Sequence, residues 1–145
     1  MFIVIQRVSQ AHVTVSNEII AQINQGLMIL CGFEATDNIQ NIQKMLDKVL
    51  KYRIFSDESD KMNLSIKDIS GELLLVPQFT LIADTQKGLR PSFSKGAPPQ
   101  QGRSLFEQLK KEASNRFDKV AFGEFGADMN VNLCNDGPVT FVMSF

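Results

Sequence analysis

Between Phe2 and Cys31 the chain carries four apolar runs, Phe2 to Val8, His12 to Val15, Ile19 to Ile23 and Leu27 to Cys31, separated by gaps of only a few residues. A parallel strand pair needs a crossover of a dozen or more residues, so these runs can neighbour one another only as an antiparallel meander. Asn24-Gln25-Gly26 supplies the turn before the fourth run. With 145 residues, 43% of them hydrophobic, the chain has material for one domain with a real core, spanning residues 1–145.

After the meander, Ile39, Ile42, Met45, Leu46, Val49 and Leu50 recur at helical spacing, and Thr36-Asp37 with Gln40 three residues after Asp37 offers the N-cap. Arg53 to Phe55 reads as a short strand, Ser56 to Asn63 as a polar loop, and Glu72 to Val76 as a buried strand entered by the Ser70-Gly71 turn. Residues 83–99 are loop-like, punctuated by Gly88, Pro91, Gly96, Pro98 and Pro99. A loop of that length in so small a domain points to function. Pro98-Pro99 suits the start of a second helix with Leu105, Phe106, Leu109 and Ala113 on its apolar face. Strands return at Val120 to Phe122, Ala127 to Leu133 and Val139 to Phe145, the last two alternating apolar and polar. The expectation is a strand-rich, largely antiparallel α+β domain with two main helices.

Lys and Arg number 15 against 16 acidic residues, so there is no global positive field for a nucleic-acid duplex and any such contact must be local. The two cysteines, Cys31 and Cys134, lie in apolar contexts too far apart for a metal or redox motif, which reads as buried, reduced thiols of a cytoplasmic protein. The run Phe2-Ile3-Val4-Ile5 is interrupted by Gln6 and Arg7, far short of a signal core or a membrane span.

Conventional catalytic constellations fail. The single histidine, His12, sits in an early strand, so a Ser-His-Asp or Cys-His system has no placed base. One His with two distant Cys cannot fill a zinc site either, and no metal or cofactor is expected. Asp57, Glu58 and Asp60, interleaved with Ser56 and Ser59, read as a solvated loop rather than paired catalytic carboxylates. Lys87, Arg90 and Lys95, with Phe93 among them, form either an ordinary charged loop or a patch that grips a single-stranded end by phosphate contact and stacking.

Two segments remain. Pro77-Gln78-Phe79-Thr80 closes an apolar strand: Phe79 and Thr80 read either as a core ring and a strand residue, or as two backbone N–H donors for a developing oxyanion, with a hydroxyl beside them. Asn135-Asp136-Gly137-Pro138-Val139-Thr140 reads either as a tight hairpin turn or as a bare-backbone element presenting carbonyl oxygens, because X-Pro bonds adopt cis at modest cost.

At these two segments the chain resembles the D-aminoacyl-tRNA deacylases, whose signatures are Ser-Gln-Phe-Thr and Asn-x-Gly-Pro-Val-Thr. The likeness extends to Ile5-Gln6-Arg7-Val8, Tyr52-Arg53-Ile54-Phe55, Lys61-Met62-Asn63-Leu64 and Arg90-Pro91-Ser92-Phe93. Pro77 stands where the family has Ser, and supplies neither a hydroxyl nor an N–H.

The resemblance implies barrel-like sheets and a homodimer with its active site at the subunit interface. There Gly137 and Pro138, as a Gly-cis-Pro unit, reach into the partner's site, supported by Arg7, Met129 and Asn135. Gln78, Phe79 and Thr80 would flank the ester carbonyl, and Arg90, Phe93 and Lys95 would meet the tRNA 3′ end. The implied partners are the aminoacyl-tRNA acceptor end and a second copy of the chain, with no membrane. The implied reaction is hydrolysis of the ester of D-aminoacyl-tRNA, and of glycyl-tRNA mischarged on tRNA-Ala, with L-esters rejected by steric exclusion. Two alternatives stand beside it: a nucleic-acid-binding module without catalysis, and a relative with a trans Gly-Pro bond that edits a small L-amino acid.

Overall fold

The computed structural model of the chain describes residues 1–86 and 88–145. Lys87, part of the anticipated basic patch, lies outside the described residues. The elements in order are β1 (Phe2–Val15), β2 (Glu18–Ile23), β3 (Gly26–Gly32), α1 (Ile39–Lys51), β4 (Phe55–Ser56), β5 (Met62–Leu64), β6 (Glu72–Pro77), a 3-10 turn (Phe79–Ile82), α2 (Pro99–Arg116), β7 (Val120–Phe122) and β8 (Asn130–Ser144).

The meander forms as anticipated, with one correction: the first two apolar runs are a single 14-residue strand. Its Phe2–Val8 portion pairs with β3 and its Ala11–Val15 portion with β2, both antiparallel. Ser9-Gln10 between them is a bulge rather than a break. Beyond β3 the antiparallel expectation needs correcting too. β6 pairs with β3, and β7 with β6, in parallel, giving the order β2-β1-β3-β6-β7 with β8 added on β1. α1 lies in the connection from β3 to β6 and α2 in that from β6 to β7, so both links are long enough for crossovers. β2 packs against β6 and β7, which curls the sheet almost into a closed barrel.

Alternation along the strands divides the interior in two. Ile3, Ile5, Leu27, Ile29, Leu73 and Leu75 face one core with the apolar stripes of α1 and α2, whereas Val8, Val13, Met28, Leu74 and Val76 face the other. A strand buried on both faces needs an unbroken apolar sequence, which is why Leu73-Leu74-Leu75-Val76 carries no polar residue. In α1 the residues Ile42, Met45, Leu46, Val49 and Leu50 are buried, each burial stabilising by about 1.5–3 kcal/mol.

The cap of α1 is Asn38, one residue later than anticipated. Its side chain accepts from the Gln40 N–H at 2.9 Å, while Asn41 Oδ1 accepts from the Asn38 N–H at 3.0 Å. Asp37 is otherwise engaged, by the Met1 ammonium at 2.6 Å and the Glu34 N–H at 2.7 Å. The Arg53–Phe55 strand and the Ser56–Asn63 loop resolve into a small hairpin in which only Phe55–Ser56 and Met62–Leu64 pair. No helix among the described residues is long and apolar enough to cross a membrane.

Candidate active site

A cavity of about 630 Å³ opens where the end of β6 meets the first turn of α2 and the segment preceding β8. Gln78 and Phe79 from the β6 exit, Phe93 from the long loop, Pro98 at the head of α2, and Phe125 and Met129 form its walls. The long loop is held at several points. Asp84 and Ser92 exchange backbone hydrogen bonds at 2.8 and 3.0 Å, the Ala35 N–H donates to Lys95 O, and the Ala97 N–H donates to Phe33 O.

Phe79 is 66% exposed, which removes the core-ring reading. Its ring lies against Phe93 with centroids 5.1 Å apart, an aromatic ledge on the cavity wall. Thr80 is in the 3-10 turn rather than a strand, is exposed, and lies outside the cavity lining.

The turn matters because its opening N–H groups have no place in its own hydrogen-bond pattern. The Gln78 N–H donates to Cys31 O at 2.7 Å and the Leu81 N–H donates to Gln78 O, but among the described residues neither the Phe79 nor the Thr80 N–H has a partner. Two adjacent unpaired donors are thus available at the edge of an apolar cavity. The Gln78 side-chain amide donates to Thr80 Oγ1, leaving the hydroxyl hydrogen free to point elsewhere.

The Gly137-Pro138 segment is not a hairpin between two strands. β8 runs continuously on both sides of it, Gln6 opposite Thr140 and Val8 opposite Asn135, so the four residues Asp136 to Val139 loop out opposite Arg7 alone. The 137–138 bond is cis, which does not match the reading that required a trans bond.

The loop-out is pinned from several sides. Asn135 Oδ1 accepts from the Val139 N–H at 3.1 Å and Asn135 Nδ2 donates to Thr140 Oγ1 at 2.9 Å. Arg7 Nε donates to Asp136 O at 3.1 Å and lies 3.2 Å from Asp136 Oδ2, and Arg7 Nη1 donates to Ile54 O at 2.8 Å. Gly137 and Pro138 themselves are exposed.

Sequence-anticipated residues therefore fall into two groups within one chain. Gln78, Phe79, Phe93 and Met129 line the cavity; Arg7, Asn135, Gly137 and Pro138 form the loop-out and are absent from its walls. Arg90 and Lys95 are exposed on the long loop outside the lining, Lys95 lying 3.8 Å from Asp84. Sequence reasoning missed Phe125, Ala97 and Val131 as cavity walls; the alternation around Val131 was the signal that could have shown at least that residue.

Among the other candidates, Asp57 accepts from the Asn63 side chain and from the Lys61 and Ser59 N–H groups, which hold its carboxyl below the usual range and make it a loop organiser. Cys31 is buried, and burial pushes its thiol far up. Cys134 is exposed, contrary to the buried reading, because it falls on the outward phase of β8.

A family model described as D-Tyr-tRNA(Tyr) deacylase matches residues 4–144. The chain is similar to the D-aminoacyl-tRNA deacylase of Legionella pneumophila (strain Lens), 57% identical over 145 residues with 100% of each chain covered. It is also similar to that of Pseudoalteromonas translucida, 56% identical with 94% of each covered. Among solved structures, it superimposes on a c-Myc DNA Unwinding Element Binding Protein with TM-score 0.93 at 36% identity, covering 100% of this chain and 99% of that one. A probable eukaryotic D-amino acid tRNA deacylase shares the fold, with TM-score 0.86 at 16% identity and 99% and 98% covered.

Proposed function

The chain belongs to the D-Tyr-tRNA(Tyr) deacylase family, and from that premise we propose that it hydrolyses the ester bond of D-aminoacyl-tRNA, releasing the free D-amino acid and tRNA. The observation that carries the reading is the 57% identity to a D-aminoacyl-tRNA deacylase over the whole of both chains. The unpaired Phe79 and Thr80 N–H groups beside an aromatic-walled cavity give it a chemical basis.

An aminoacyl ester is activated already, since its ammonium withdraws electrons and a vicinal ribose hydroxyl flanks the leaving oxygen. Two aimed N–H donors and a positioned water then suffice, with no histidine. The terminal adenosine would rest against Phe79 and Phe93, and the carbonyl oxygen would turn toward the N–H groups of residues 79 and 80.

Stereochemical selection falls to the Gly137-Pro138 loop-out. It presents backbone without side chains, and on the family's pattern it comes from the second subunit of a homodimer. A rigid backbone that captures the ammonium leaves room for hydrogen but not for an L side chain, and it does not read the D side chain. Achiral glycine passes the same test, so glycyl-tRNA is a second substrate.

Release of label from D-tyrosyl-tRNA and glycyl-tRNA but not from L-tyrosyl-tRNA is the expected result; release from none would sink the reading. Thr80→Ala should retain measurable D-ester hydrolysis, because the donors are main-chain. Complete loss with a normal thermal transition would instead make the threonine hydroxyl a nucleophile.

The likeness to a DNA unwinding element binding protein at 36% identity favours one other reading, a nucleic-acid-binding module without catalysis. Binding of tRNA with hydrolysis of neither tyrosyl ester would select it.

A further inference from the structure

We propose that Arg103, held over the Phe125 ring that lines the cavity, binds a backbone phosphate of the single-stranded segment that leads into that cavity. The inference rests on the reading of the cavity as the seat of a tRNA 3′ terminus.

Arg103 lies in the first turns of α2, four residues after Pro99, and its guanidinium carbon stands 5.3 Å from the centroid of Phe125. Phe125 and its neighbour Gly126 line the cavity, as do Pro98 and Pro99 at the head of the helix. Arg103 itself is exposed and outside the lining, and stands beside the cavity wall through this contact with Phe125.

One glycine helps to seat the ring beneath the cation. A Cβ on Gly102 would lie 3.0 Å from Phe125 Cζ, so the ring seats against bare helix backbone. A Cβ on Gly126 would meet Arg103 Nη2 only at 3.4 Å, an ordinary contact, so glycine there answers to its φ of +81° and not to the guanidinium.

In a chain with 16 acidic residues, Arg103 makes no ion pair and no hydrogen bond among the described residues. Glu107, one turn further on, pairs with Lys110 at 3.0 Å instead. One face of the guanidinium lies over the ring, while its N–H donors remain unused among the described residues. That is the arrangement in which arginine grips a phosphate by two parallel hydrogen bonds.

The ring restricts the rotamers of the side chain, so less entropy is lost on binding than for a free surface cation. Lys95, by contrast, already has Asp84 nearby. Arg103 thus has the stronger claim to a phosphate than one of the cations singled out from sequence.

The experiment measures equilibrium binding of uncharged tRNA and of adenosine, which has no phosphate, to the full chain and to Arg103→Ala and Arg103→Lys over a range of salt. Arg103→Ala should weaken tRNA binding about three- to tenfold and flatten the plot of log K against log salt by about 0.7, while adenosine binding is unchanged. Arg103→Lys should restore most of the salt slope but only part of the affinity. An unchanged slope in Arg103→Ala, an equal loss for adenosine, or no measurable tRNA binding by the unsubstituted chain would each overturn the inference. Failure of D-tyrosyl-tRNA hydrolysis with the slope change intact would overturn the deacylase reading and leave this one standing.

Discussion

At Gly137 the backbone takes φ +130°, and a Cβ there would sit 2.7 Å from Val139 Cγ2 and 3.2 Å from Arg7 Nη2. Only glycine occupies that region without strain, so Gly137→Ala should cost about 1–3 kcal/mol in a urea titration. It should also narrow the ratio of D- to L-tyrosyl-tRNA hydrolysis, because the loop-out must shift to clear the methyl; an unchanged ratio would detach the segment from stereoselection. Residue types at such positions were legible only through the motif they complete. Local grammar allowed Asn135 to Thr140 to be an ordinary turn, and nothing in the string shows that Asn135 bonds across it or that Arg7 reaches Asp136 and Ile54. Arg103 and Phe125 are harder still, since their contact joins residues 22 positions apart beside Gly102, a glycine that belongs to no motif.

Among the elements, α1 was the most legible, since its buried positions repeat at the helical period; its start was not. Two adjacent residues, Asp37 and Asn38, both suit a cap, and the choice between them is made by the Met1 ammonium and the Glu34 N–H, which occupy Asp37. Asn38→Ala should therefore lower stability by about 0.5–2 kcal/mol, read as a fall in thermal midpoint; a shift within error would mean that the capping bonds contribute nothing. β1 and β8 were legible as strand material but not as continuous strands. Bulges and the loop-out look in sequence like ends, because the apolar alternation changes phase there: Ile3 and Ile5 face one core, Val8 and Val13 the other. The parallel partners of β6 carried one usable clue, an apolar run with no polar phase, which signals burial on both faces without naming the neighbours.

For the whole molecule, the cavity and the loop-out occupy separate places in one chain, yet the proposed reaction needs both at a single ester. On the proposed reading a second copy would supply its loop-out, and the active species would be a dimer with two equivalent sites. Specific activity should fall on dilution in step with dimer dissociation followed by sedimentation; full activity in a preparation that sediments as monomer would refute the shared site. No periodicity in the sequence speaks to this, as the outward phase of β8 is mixed, with Asn130, Asn132 and Cys134 followed later by the exposed Val142. The loop-out interrupts the longest ribbon of the molecule, with ladder rungs at Gln6–Thr140 and Val8–Asn135 on either side. Such a tip is anchored by paired strand at both ends, as a chain end is not. On the proposed role of this segment, fidelity would follow melting: on warming, the ratio of D- to L-ester hydrolysis should hold until the protein itself comes apart.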